Sequence, residues 1–170
     1  MFSCVLLSVW SHCVKEPHDS MSSSMEYSAF AAVFEKQTLK NGALGAKVLS
    51  GYETKGLKKN LLSLSGGKPE LQDQGSLVQT VIRETSEEAN LVLFEDDFKY
   101  DPVVLSVQFK SQKFQMYIYP CIKDTSFIGK TIDPELQLER VAFRPIAEIL
   151  GQPHALCCNT LLECWKRITN

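Results

Sequence analysis

The sequence predicts an α/β chain, with a mixed β-sheet sandwiched between helices. Three observations carry that expectation. A two-residue period sets Phe114, Met116 and Ile118 on one face of a strand and Gln115, Tyr117 and Tyr119 on the other. A helical period starting near Ser76 puts Leu77, Val81, Glu84 and Glu88 in one line, with Val78, Ile82 and Ala89 beside them and Glu87 on the other flank. Apolar strand-like runs precede, flank and follow that helix, an order that suits helices on both sides of one sheet.

In chain order, Met1 to Val14 is apolar but lacks a basic start, is interrupted by Ser8, Ser11 and His12, and is too short to span a bilayer. Residues Lys15 to Met25, with Pro17 and the run Ser20-Met21-Ser22-Ser23-Ser24, read as a flexible leader in which Met21 or Met25 is an alternative start. The leader over residues 1–25 is therefore set apart from one domain over 26–170. Tyr27 to Glu35 reads as a buried strand, Lys40 to Gly45 as a turn, and Ala46 to Gly51 with Leu61 to Leu64 as strands around a lysine-rich loop. The helix from Ser76 follows. Val103 to Phe109 and Phe114 to Tyr119 form a hairpin across Lys110-Ser111-Gln112-Lys113. Val141 to Phe143 is a short strand, Pro145 to Leu150 a helical turn, and His154 to Ile168 a final helix with Leu161, Leu162, Trp165 and Ile168 inward.

Composition bounds the function. At 170 residues with 44% apolar and 22% charged content, the chain can bury a proper core and is short for two ordinary domains. A net charge of −2 gives no general attraction to nucleic acid or anionic membrane. Cys4, Cys13, Cys121, Cys157, Cys158 and Cys164 show neither paired metal-ligand spacing nor the density of a small secreted scaffold, so they read as reduced thiols. His12, His18 and His154 are scattered. The leader has no Arg, unlike a mitochondrial one, and the default location is cytoplasmic.

The chemistry is concentrated in Arg83-Glu84-Thr85-Ser86-Glu87-Glu88. Like charges three and four apart cost roughly 0.2–0.5 kcal/mol per pair, and these acids lie in the last turns, near the negative end of the helix dipole. On charge pattern alone, a solvated acidic face with Arg83 as intrahelical partner accounts for them. A cation compensates them equally well, and a hard divalent ion takes oxygen ligands and shares carboxylates with water and phosphate.

The residues upstream shift that balance. GGKPELQDQGSLVQTVIRETSEEANL, from Gly66 to Leu91, resembles the signature box of the Nudix hydrolases, whose pattern is Gly, five residues, Glu, seven residues, Arg-Glu-apolar-x-Glu-Glu-x-Gly-apolar. Arg83, Glu84, Glu87, Glu88 and Leu91 match it, and Leu62 to Lys68 resembles the strand and Gly-Gly turn that lead into it. Gly75 stands where the first Glu belongs, after a loop two residues longer between Gly67 and Gly75, and Glu70 is the acid in that loop considered as a substitute. Thr85 replaces an apolar residue and Asn90 the closing Gly; Asn is the next best residue at left-handed dihedrals. Phe143-Arg144-Pro145-Ile146-Ala147-Glu148-Ile149 resembles the segment that closes the family's sheet before its last helix.

The resemblance implies a Nudix-like α/β/α sandwich and metal-assisted hydrolysis of a diphosphate linkage in a nucleoside diphosphate derivative or related nucleotide. It assigns Arg83, Glu84 and Glu87 to catalysis, with Glu87 as base and Arg83 orienting the carboxylates and the Gly-Gly loop. It assigns Glu84, Glu87, Glu88 and the Gly67 carbonyl to Mg²⁺ or Mn²⁺. Glu135 and Glu139 are candidates for an extra carboxylate from outside the box, against the plainer reading of two exposed acids. Lys55, Lys58, Lys59 and Lys68 are candidate phosphate contacts, against solvated loop lysines, and Tyr117 and Tyr119 are candidate base-stacking residues, against cross-strand packing. A small-molecule nucleotide is the expected partner; an RNA end and a second copy of the chain are further ones, and no membrane is expected. The alternative is a catalytically weak or inactive module of the same fold that binds nucleotide, RNA end or protein.

Overall fold

The computed structural model describes residues 25–109, 112–124, 137–154 and 159–170. The leader before Met25, His12, His18, Cys4, Cys13, Cys157, Cys158, Glu135 and the hairpin tip Lys110-Ser111 lie outside the described residues.

β1 (Glu26–Glu35) is the spine of the sheet, and its alternating side chains explain why two layers form on it. Phe30, Ala32 and Phe34 face one apolar cluster, while Ala29, Ala31 and Val33 face the other. β2 (Lys47–Glu53) and β6 (Gln112–Lys123) flank it, β2 antiparallel and β6 parallel over ten residue pairs from Glu26↔Phe114 to Glu35↔Lys123. β3 (Leu62–Ser63) and β5 (Val103–Phe109) complete the order β3-β2-β1-β6-β5, with β4 (Gly66–Gly67) added to β1 and β7 (Leu138–Pro145) to β2. The sheet is thus mixed and the fold α/β, as the strand order predicts.

Among the described residues four α-helices cover it. α1 (Gly42–Gly45) is a single turn after a 3-10 segment at Lys36–Asn41. α2 (Leu77–Ala89) packs Val81 and Ala89 onto Ala29, Ala31 and Val33. α3 (Ile146–Leu150) and α4 (Thr160–Thr169) close the opposite face with Ile146, Ile149, Leu161 and Cys164. The buried side chains of Ile146, Ile149 and Leu161 each contribute roughly 1.5–3 kcal/mol. Cys121 and Cys164 are free and buried, one in each layer, and burial pushes the Cys164 thiol up to about 12.

Several boundaries differ from expectation. β6 begins at Gln112 and continues through Pro120 to Lys123, so Gln112 and Lys113 pair with Phe109 and Gln108 instead of forming the turn. Pro120 is tolerated because β5 pairs no farther along β6 than Val103↔Ile118. β7 is longer than Val141 to Phe143 and shifts register between Ser50 and Tyr52 of β2, where Arg140 takes a left-handed φ of 50°. α4 begins at Thr160; His154 instead bridges to Leu62, whose N–H bonds the Pro153 carbonyl at 3.0 Å.

Candidate functional site

The site is built where β4 meets α2. Ser76 caps α2, its hydroxyl accepting from the Gln79 N–H at 3.3 Å, and Asn90 ends it at φ 51° in the left-handed region. These two stops fix the rotation of the helix. The buried positions are Thr80, Val81, Glu84, Thr85, Glu88 and Ala89, so Glu84 and Glu88 lie within the buried face and do not merely border it.

Glu88 is 3% exposed. Its Oε2 accepts from the Ser65 hydroxyl at 2.8 Å and from the Gly66 N–H at 2.9 Å. Those two bonds favour the anion, but burial outweighs them and pushes the carboxyl up to about 8. Glu84 is raised as well, chiefly by burial and against the pull of Arg83. Its carboxylate lies so close to Gly67 that a Cβ there would overlap it. A Cβ at Gly66 would overlap the backbone of Ala29 and Phe30, so glycine is required there, whereas at Gly67 it would meet only the end of the Glu84 side chain.

Arg83 organises the acids. Its Nη1 lies 3.0 Å from Glu84 Oε1 and 3.1 Å from Glu87 Oε2, and its Nη2 donates to the Lys68 carbonyl at 3.3 Å. Its strongest partner is a residue outside the sequence-derived set. Asp73 takes the guanidinium as a fork, Nε to Oδ1 at 3.0 Å and Nη2 to Oδ2 at 3.1 Å. The Glu70 N–H at 2.8 Å and the Thr80 hydroxyl at 3.0 Å also donate to Asp73 Oδ2. The Arg83 hydrogen bond prevails over desolvation and holds the Asp73 carboxyl below the ordinary range. Glu70, the substitute considered from sequence, stands 3.6 Å from Arg83 and is mostly exposed. Asp73 lies two residues before Gly75 in the lengthened loop, and a carboxylate ten residues before Arg83 is the signal the sequence offers for it.

A cleft of about 440 Å³ opens beside β4, lined by Glu88, Gly66, Gly67, Glu53 and the lysines Lys55, Lys58 and Lys68 over Phe30 and Leu64. Its lining includes neither Glu84, which lies behind Gly67, nor Glu87, whose side chain is 45% exposed beside Arg83. Lys59 is also outside it. Tyr117 bonds Gln115 and packs against Tyr27, and Tyr119 stacks edge-on against Phe98, so both strand tyrosines are engaged in packing away from the cleft. Glu139 pairs with Arg140 at 3.5 Å on the surface and likewise does not line the cleft.

The donor set suits a hard cation. Glu84 and Glu88 are desolvated carboxylates with raised proton affinity, so a positive charge between them and solvent is favourable, and the Gly67 backbone is bare of side chain beside them. Among the described residues no three His, Cys, Asp or Glu side chains stand together in a group that could hold a metal ion as they are placed.

No protein-family model matches the chain, and no curated protein matches it in sequence. Solved structures match its fold. The NUDIX domain of Shewanella oneidensis NrtR, complexed with ADP ribose, is similar at 20% identity and TM-score 0.65, over 86% of this chain and 90% of that one. A NUDIX hydrolase from Alicyclobacillus acidocaldarius is similar at 12% identity and TM-score 0.58, over 86% and 93%. A MutT NUDIX hydrolase from Burkholderia pseudomallei is similar at 16% identity and TM-score 0.56, over 86% and 99%. At these identities the likeness is one of fold. Among the described residues no helix is long and apolar enough to cross a membrane.

Proposed function

We propose, from the premise that the chain has the Nudix fold, that it is a metal-dependent hydrolase of a diphosphate linkage in a nucleoside diphosphate derivative or related nucleotide. The observation that carries this reading is the pairing of buried, proton-hungry Glu84 and Glu88 with a cleft rimmed by Lys55, Lys58 and Lys68. Glu88 and the lysines line one cleft beside Gly66-Gly67, and Glu84 stands against Gly67 outside that lining.

Glu84, Glu88, Glu87 and the Gly67 carbonyl would hold Mg²⁺ or Mn²⁺. Such an ion supplies charge neutralisation at the phosphate oxygens and an acidified water. Glu87, exposed at the helix end, accepts the proton of the attacking water, and the lysines hold the phosphates in line. Arg83, anchored by Asp73, keeps Glu84 and Glu87 pointed at the same place. Positioning and charge neutralisation are most of what phosphoryl chemistry requires of a protein. We assign residues 26–170 to this one domain and its action to the cytoplasm.

A second reading, a binding module of the same fold without turnover, is favoured by one feature: Glu84 and Glu87 both reach toward one nitrogen of Arg83. Release of phosphate or nucleotide from NTPs, dinucleoside polyphosphates, ADP-ribose, NADH and capped RNA separates the two. Turnover with Mg²⁺ or Mn²⁺ that stops on chelation supports the hydrolase. Ligand binding with no release across the panel supports the module.

A further inference from the structure

Ser65 immediately precedes the Gly66-Gly67 pair and is buried. Its carbonyl accepts from the Ala31 N–H at 2.9 Å, which fastens it to β1. Its hydroxyl lies 2.8 Å from Glu88 Oε2 and 3.1 Å from the Glu84 carbonyl, so one side chain ties this segment to successive turns of α2. A hydroxyl has a single proton, and the carboxylate oxygen, nearer and charged, is the stronger acceptor of the two. The Gly66 N–H donates to that same oxygen at 2.9 Å. Donors from adjacent residues therefore grip Oε2, while Oε1 accepts no hydrogen bond from the described residues and is the oxygen that Glu88 has to offer to the cleft it lines. Ser65 does not line the cleft itself, so any effect it has there passes through Glu88.

We infer that Ser65 is a positioning residue of the site: its hydroxyl holds Oε2 of Glu88 so that the carboxylate presents Oε1 to the cleft. The inference rests on the reading of this cleft as the place where a diphosphate is hydrolysed. A glutamate side chain is long and freely jointed, and the Gly66 N–H alone leaves its carboxylate able to turn about a single bond; the Ser65 hydroxyl removes that freedom. Ser63, in the same segment, is a buried serine of another kind, because its hydroxyl donates to the neighbouring Leu64 carbonyl at 3.3 Å and not to an acid of α2.

The test is steady-state turnover by the full chain, on whichever diphosphate of the panel is cleaved, for Ser65→Ala, Ser65→Cys and Ser63→Ala beside wild type. Ser65→Ala is expected to lower kcat by about tenfold or more and to leave KM within about twofold, since a carboxylate that swings is misplaced for the reaction while the lysines of the cleft are untouched. Ser65→Cys fills the same space with a weak donor and is expected to show the same loss, which a packing role would not produce. Ser63→Ala is expected to keep both constants. Wild-type kcat in Ser65→Ala or in Ser65→Cys, a rise in KM alone, or an equal loss in Ser63→Ala overturns the role of Ser65 and leaves the hydrolase reading standing. No release by the wild type from any member of the panel overturns the hydrolase reading and the role with it. Circular dichroism identifies a variant that loses its fold, and if Ser65→Ala does so, the kcat of Ser65→Cys decides.

Discussion

Removing the charge of Asp73 isolates the part of the site that a match to the box pattern alone would not find. Asp73→Asn keeps the size of the side chain. The native carboxylate accepts four bonds: two from Arg83 at 3.0 and 3.1 Å, one from the Glu70 N–H at 2.8 Å and one from Thr80 at 3.0 Å. An amide offers one oxygen and turns two donors toward groups that are themselves donors, so at least one partner is left without an acceptor. Breaking a buried pair from one side costs about 3–5 kcal/mol. Arg83 is 14% exposed and keeps Glu84 and Glu87, which lowers the expectation to roughly 2–4 kcal/mol. That corresponds to a Tm fall on the order of 10 °C for a chain of this size.

The pH dependence gives a second check. The Asp73 carboxyl is held below its ordinary value of 3.8, so its contribution is complete above that value and is lost as pH falls through the lower folded one. The wild-type advantage over Asp73→Asn in urea unfolding should therefore be constant near neutrality and shrink below pH ~4. Turnover should fall through kcat more than KM, because Arg83 positions the acids without gripping substrate. Equal urea midpoints at pH 7, with equal kcat, would refute the anchoring role. The companion variant Gly75→Glu should bring no gain in activity, since Arg83 is already held; at φ 77° it should cost on the order of 1 kcal/mol. A clear gain would show that Asp73 does not replace the missing acid.

Other expectations follow from single contacts. Because Glu88 titrates near 4.5 unfolded and about 8 folded, the metal-free protein should lose stability as pH rises between those values; Glu88→Gln should flatten the thermal-unfolding profile across that window. Thr85→Val should stabilise by about 1 kcal/mol in urea unfolding, because the Thr85 hydroxyl is buried without a hydrogen-bond partner among the described residues. Gly67→Ala should displace the Glu84 carboxylate and lower kcat by about tenfold or more, with little change in the circular dichroism spectrum.

The sequence is legible where local chemistry decides. Ser76 and Asn90 bound α2 because a side-chain oxygen and a tolerance for left-handed φ are properties of those residues alone. The two faces of β1 and β6 follow from alternation. What escaped depends on partners distant in sequence. Pro120 argues against a strand until the early end of β5 is known. The bulge at Arg140 exists only against β2, where Arg144 bonds the Ser50 and Arg140 carbonyls at 2.6 Å each. Asp73 is one acid among several in a lengthened loop, and only the fold of that loop over Arg83 selects it above Glu70.

The most direct test of the central claim is turnover in oxygen-18 water, with Mg²⁺, on whichever diphosphate in the panel is cleaved, for wild type beside Glu87→Gln. The account predicts one labelled oxygen in a phosphate-bearing product of the wild type, and loss of turnover in a variant whose stability lies within about 0.5 kcal/mol of it, as fits a half-exposed side chain. Label absent from every phosphate, or undiminished turnover in Glu87→Gln, would contradict it.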